Sequence, residues 1–289
     1  MKRRSAGLAL ALGAALTGGC ATNVTALSQD CEGPGGWCPN AVTVASNSWQ
    51  YAQIAQNVYW ERSFETDRYT DRLYVLPDTL KERFASANDD AGFAYSVFDR
   101  FDGDKLVEVV LAFRGTEGPT DWLNGNLRGR QGPRGVVAYR LLRAGMDETG
   151  NADVPITVVG HSLGGRIAAR VIKEIAEETG GTPPLLSSYM FNTTSDHPLQ
   201  RRGFDRDTVH VAISEKGEAA DYLRRLSNAT WDGYEINCRP GLDPIGGHYM
   251  RYLADCLTWI AARSGKEAAE SVRRNELSAP PAEVKAERP

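Results

Sequence analysis

Gly160-His161-Ser162-Leu163-Gly164-Gly165 constrains this chain more than any other stretch, because of what flanks it. Ahead of it runs Val154-Pro155-Ile156-Thr157-Val158-Val159, short and rich in β-branched residues. After it, Leu163, Ile167, Ala168, Val171, Ile172 and Ile175 recur at helical spacing, and Gly180-Gly181 ends the run. The pattern reads as a strand, a tight turn carrying Ser162, and a helix. Glycines at 160, 164 and 165 allow the close backbone approach that such a turn needs. A serine raised at a helix N-terminus stands beside amide groups that can meet a developing negative charge.

Further elements follow the same logic. Val42 to Tyr59 is expected to be a helix with Trp49, Ala52, Ala55 and Tyr59 on one face. Phe93 to Phe98 and Leu106 to Phe113 are β-rich runs around Asp102-Gly103-Asp104, a hairpin turn signal. Val136 to Met146 reads as a helix, Leu186 to Phe191 and Thr208 to Ile213 as strands, and Tyr249 to Ala262 as an amphipathic helix. Alternating strands and helices predict an α/β domain, a mostly parallel central sheet with helices on both faces. The hydrophobic share, 42%, supports a sizeable core. With 33 basic against 37 acidic residues and no long basic patch, a nucleic-acid partner is not expected.

The N-terminus reads as a leader. Lys2, Arg3 and Arg4 precede a short apolar stretch, Leu8 to Leu16, and then Thr17-Gly18-Gly19-Cys20. Residues 1–19 are therefore expected to be a signal peptide, too short to span a bilayer. Cys20 after small residues resembles a bacterial lipobox, although Thr17 stands where Leu or Val is usual. The resemblance implies a lipidated Cys20 and a membrane-anchored protein of the bacterial cell envelope. Ala21 in place of Asp would permit export to the outer membrane; simple secretion is the alternative. Residues 20–40 read as a tether with a small loop, 41–263 as the folded domain, and 264–289 as a polar, disordered tail. Cys31, Cys38, Cys238 and Cys256 suit disulfides in an exported chain; of the three possible pairings, Cys31–Cys38 with Cys238–Cys256 is the expected one. No cysteine or histidine spacing suggests a metal, and no cofactor is expected.

A serine hydroxyl needs a base in reach, and the base needs an orienting acid. With Ser162 on a strand–turn–helix of this kind, the chain order is serine, then Asp or Glu, then histidine. Of four histidines, His161 lies inside the turn, and His197 and His210 precede the best acid loop. His248, on a Gly246-Gly247 loop ahead of the last long helix, remains as the base. The acid follows the strand ending at Ile213: Glu218 first, then Glu215, then Asp221. Phe113-Arg114-Gly115-Thr116, with Asp121-Trp122-Leu123 beyond, begins at a strand end. Thr116 and the Leu163 N–H are the candidate donors to an oxyanion.

Ala112-Phe113-Arg114-Gly115-Thr116 and Asp121-Trp122-Leu123, followed by Gly160-His161-Ser162-Leu163-Gly164-Gly165, resemble the class 3 lipases, fungal-lipase-like α/β-hydrolases. The resemblance covers roughly residues 41 to 263. It implies an α/β-hydrolase fold and hydrolysis of carboxylic esters, often acylglycerols or phospholipids. The family's acid is normally Asp, where Glu218 stands here. The short basic segment Arg128 to Arg134 leaves little room for the amphipathic helical lid of the fungal enzymes. A phospholipase A1 or an acyltransferase would use the same three side chains. A scaffold on an inactive hydrolase fold is the non-enzymatic alternative.

Overall fold

The computed structural model describes residues 22–24, 39–59, 64–87, 92–115, 131–193, 204, 207–221, 233–238 and 243–277. Eight strands form one sheet: β1 (Thr22–Val24), β2 (Leu80–Ala85), β3 (Tyr95–Asp102), β4 (Lys105–Phe113), β5 (Ile156–His161), β6 (Leu186–Phe191), β7 (His210–Glu215) and β8 (Tyr234–Ile236). Their order across the sheet is β1-β8-β7-β6-β5-β4-β3-β2. From β4 to β1 every neighbouring pair is parallel, and β2 and β3 are added antiparallel at the far edge. The expected hairpin joins β3 to β4, with Gly103 at φ +59° in its turn.

Helices cover both faces: α1 (Pro39–Asn57), α2 (Gln131–Glu148), α3 (Leu163–Thr179), α4 (Pro244–His248), α5 (Met250–Ala261) and α6 (Lys266–Arg274). Side chains alternate along each strand, so one strand feeds two cores. Val109, Leu111 and Phe113 of β4 pack with α2 and α3 through Val136, Ile167 and Val171. Val110 and Ala112, on the other face, pack with α1 and α5 through Ile54, Leu253 and Leu257. With both faces buried, β4 and β5 read as near-continuous apolar runs. The architecture is α/β, a mostly parallel sheet with helices on both faces.

Three boundaries differ from the sequence reading. The first helix begins at Pro39, and Thr22–Val24 lies in the sheet beside β8, so the segment expected to be a tether is partly structured. The tail expected from residue 264 is ordered to Leu277. Its charged composition hides an amphipathic helix: Ala268 and Ser271 of α6 are buried, and Val272 packs against the core. Gln53 Nε2 donates to Ser271 Oγ at 2.8 Å, and Trp259 Nε1 donates to the Leu277 carbonyl at 3.2 Å. The domain thus extends to residue 277, and residues 278–289 lie outside the described part. Of the short basic segment Arg128 to Arg134, Gln131 to Arg134 form the first turn of α2, and residues 128–130 lie outside the described part.

Candidate active site

In parallel sheets, ligands meet the strands at their carboxyl ends, and here three strand ends converge. The register aligns His161 of β5 with Phe191 of β6, and Phe191 with Ile213 of β7. Ser162, Asn192 and the loop after Glu215 therefore emerge side by side.

Ser162 adopts φ 56°, ψ −119°, a conformation rare for a residue with a Cβ. Neighbouring contacts hold it there. Ser162 N–H donates to the Phe191 carbonyl at 2.9 Å, and Arg166 N–H donates to the Ser162 carbonyl at 3.3 Å. The flanking glycines leave no room for side chains. A Cβ on Gly160 would lie 2.2 Å from the Gly164 carbonyl carbon, and one on Gly164 would lie 2.1 Å from the Phe113 carbonyl oxygen. The second contact is instructive, because Phe113 opens the other motif. The first turn of α3 is pressed against the backbone of Phe113 and Arg114, so the two motifs share one junction.

His248 is the last residue of α4, a short helix capped by Asp243, whose Oδ1 accepts from Ile245 N and Gly246 N. Its Nε2 lies 3.0 Å from Ser162 Oγ, and its Nδ1 lies 2.6 Å from Glu218 Oε2. A carboxylate only accepts, so Nδ1 carries the proton and Nε2 offers its lone pair to the Ser162 hydroxyl. Glu218 is fully buried, and Oε2 also accepts the Ala220 N–H at 2.7 Å. Gly217, at φ +75°, turns the chain after β7 so that Glu218 points back at the histidine.

Of the three candidate acids, Glu218 meets His248. Glu215 instead accepts the Cys238 N–H through Oε1 at 2.8 Å, and Asp221 is buried one turn on, its N–H donating to the Glu218 carbonyl at 3.0 Å. Leu163 opens α3, where the first N–H groups have no intrahelical partner. Thr116 lies outside the described residues, as do Cys20, Cys31, Cys38 and His197. His210 is a packed strand residue, its Nδ1 3.1 Å from Ser188 Oγ. Among the described residues, no group of three or more His, Cys, Asp or Glu is placed to hold a metal ion.

Sequence reasoning missed two residues. His161 reaches the His248 carbonyl through Nε2 at 2.8 Å and Tyr59 Oη through Nδ1 at 3.1 Å. Asn192, at φ 44°, donates through Nδ2 to the Gly247 and His248 carbonyls at 3.4 and 3.3 Å, and accepts the Glu215 N–H at 2.9 Å. Neither belongs to a spacing pattern for a base or an acid. The available signals were the histidine within the turn and an asparagine, tolerant of positive φ, directly after a strand.

Two devices fix the histidine-bearing segment. Cys238 and Cys256 form the expected disulfide, which brackets His248. Behind His248, the Arg251 guanidinium pairs with Asp255 Oδ1 at 3.2 Å and lies over the Tyr74 ring. Tyr74 and Tyr69 both donate hydroxyl hydrogens to Asp255. Burial, reinforced by the Asp255 carboxylate, pushes the Tyr74 hydroxyl well above its ordinary pKa, so it remains a donor. Removing the disulfide by Cys238→Ala with Cys256→Ala is expected to lower stability by about 3 kcal/mol, the value for a closed loop of this size. Urea unfolding measures it; an unchanged midpoint would show that the surrounding packing alone holds the segment.

No family model and no curated protein sequence matches the chain. Solved structures similar to this chain include a triacylglycerol lipase from Penicillium expansum, 11% identical, covering 67% of this chain and 79% of that one, at TM-score 0.45. Lipase II from Rhizopus niveus is 15% identical, with 64% and 76% covered, at TM-score 0.45. A Rhizomucor miehei lipase propeptide complex is 14% identical, with 64% of each chain covered, at TM-score 0.45.

Proposed function

We propose that this protein is a serine hydrolase of carboxylic esters, acting on lipid or other acyl esters through an acyl-enzyme. The observation that carries the reading is the continuous chain Glu218–His248–Ser162, with contacts of 2.6 and 3.0 Å, at a strained strand-to-helix turn. Ser162 Oγ attacks the ester carbonyl while His248 Nε2 takes its proton. Glu218 holds the imidazole in the required tautomer and stabilises the imidazolium. The Leu163 N–H, with a donor from Thr116, meets the oxyanion. His248 then returns the proton to the departing alcohol. Water, activated by the same imidazole, releases the acid from Ser162 and restores the serine.

The ester class is supported by the paired Phe113-Arg114-Gly115-Thr116 and Gly160-to-Gly165 motifs. The protein is expected to react with a fluorophosphonate probe, and mass spectrometry should place the adduct on the peptide containing Ser162. A panel of p-nitrophenyl esters, triacylglycerols and phospholipids, with and without an alcohol acceptor, then separates lipase, phospholipase A1 and acyltransferase. Absence of both labelling and turnover from the folded protein would favour a scaffold instead.

The Cys20 motif supports a lipid-anchored location in the cell envelope, with secretion as the alternative. Among the described residues, no helix is long and apolar enough to cross a membrane. Mass spectrometry of the mature N-terminus tests the anchor: an unmodified terminus downstream of Cys20 would overturn it.

A further inference from the structure

The geometry points to His161 as a positioning residue that, together with Asn192, grips the main-chain carbonyl of His248 and so sets where its imidazole stands. The inference rests on the Ser162–His248–Glu218 reading above.

A histidine next to a reactive serine is ordinarily one more packed ring. Here its partner is specific. The His248 carbonyl accepts from His161 Nε2 at 2.8 Å and from Asn192 Nδ2 at 3.3 Å. A carbonyl can only accept, so His161 Nε2 carries a proton. In the neutral ring Nδ1 then holds a lone pair, and the Tyr59 hydroxyl, 3.1 Å away, donates into it. The chain of donors runs from Tyr59 through His161 to the backbone of His248. Tyr59, His161 and Asn192 are all buried. They come from the turn just after α1, the end of β5 and the residue after β6, so packed elements converge on a residue at the end of a five-residue helix.

Glu218 and Ser162 contact only the edges of the His248 ring. They orient it but do not fix the Cα from which it hangs. The carbonyl grip acts on the His248 backbone directly, beside the disulfide and the Arg251–Asp255 pair that hold the flanking segment. Asn192 extends it to the acid side: Oδ1 accepts the Glu215 N–H at 2.9 Å, where the chain turns towards Glu218. Tyr59 extends it to the other motif, since a Cβ on Gly115 would lie 2.5 Å from its hydroxyl. One buried network thus contacts the base, the acid loop and the strand end that leads to Thr116.

The test uses full-length protein and p-nitrophenyl butyrate, with active sites counted by fluorophosphonate titration. A residue that only supports folding lowers the number of titratable sites, whereas a positioning residue lowers kcat for each site that remains. His161→Leu is expected to lower kcat per titrated site on the order of 10²-fold, the cost of a displacement near 1 Å, while KM changes little. His161→Gln, which restores an N–H near the Nε2 position, should recover most of the loss. Tyr59→Phe removes a single hydroxyl, and Asn192→Asp keeps the acceptor for Glu215 but deletes the donor. Each should lower kcat several-fold with site counts near wild type.

Wild-type kcat per site in His161→Leu, or a His161→Gln protein as slow as His161→Leu, overturns the inference. If His161→Leu does not fold, the two single-atom variants decide, and wild-type kcat in both overturns it. Failure of the underlying reading looks different: the unmodified protein itself would then not label at Ser162.

Discussion

Ser162→Ala is expected to lower kcat for ester hydrolysis on the order of 10⁶-fold, the scale seen when a serine nucleophile is removed from an intact triad. The size follows from the site's economy of parts. Ser162 Oγ is the atom to which His248 Nε2 is addressed at 3.0 Å, and without it the base has nothing to activate but water. The fold should survive. Ser162 is buried, but its strained backbone is held by main-chain contacts and by the glycine approaches at 160 and 164, none of which uses the hydroxyl. Kinetics with a p-nitrophenyl ester and a thermal melt on the same preparation separate the two effects. A well-folded alanine variant retaining more than about a hundredth of wild-type turnover would remove Ser162 from the mechanism, since the oxyanion donors alone leave far less.

The second large effect is expected at Glu218. Glu218→Gln keeps the shape of the side chain and removes its charge, and should lower kcat on the order of 10⁴-fold. The carboxylate accepts the His248 Nδ1 proton at 2.6 Å within a fully buried site. An amide there either presents an N–H to that proton or turns its oxygen to it without compensating the imidazolium. Glu215→Gln should be far milder, because the amide oxygen can still accept the Cys238 N–H that Glu215 Oε1 holds now. Asp221→Asn should likewise affect turnover less than Glu218→Gln. The ranking of the three carboxylates, measured as kcat at constant pH, is the result to check. If Asp221→Asn or Glu215→Gln proves the most damaging, the acid has been misassigned.

What the sequence made legible was whatever depends on short-range spacing. The strand–turn–helix around Ser162, the hairpin at Gly103 and the runs of β4, β5 and β6 all carry their periodicity within a few residues. Glu218 and His248 were accessible because chain order and a small number of histidines restricted the choice. Other features escaped because they depend on distant parts. The helix Lys266–Arg274 is mostly charged, and its buried side chains become evident only once α1 and α5 provide a surface for them. The roles of His161 and Asn192 depend on which strand lies beside which, a fact of sheet order that local patterning does not encode. His161 lies inside the turn and faces away from the serine hydroxyl; its partner is the backbone of the base, 87 positions away.

The two faces of the sheet also differ in how far along the chain their parts lie. One face is closed by α2 and α3, which flank β5 in sequence, so the nucleophile's side of the molecule is built from contiguous chain. The other is closed by α1 against α5, helices from the early and the late part of the chain. Local contacts form early and distant ones late, because closing a long loop costs entropy before any contact rewards it. His248 sits immediately before α5. During synthesis, therefore, the serine can be in place on a formed turn while its proton acceptor has yet to be made, and reactivity arrives only when the last part of the domain docks on the first. A chain interrupted before α4 carries Ser162 without His248, a nucleophile lacking the base that would activate it.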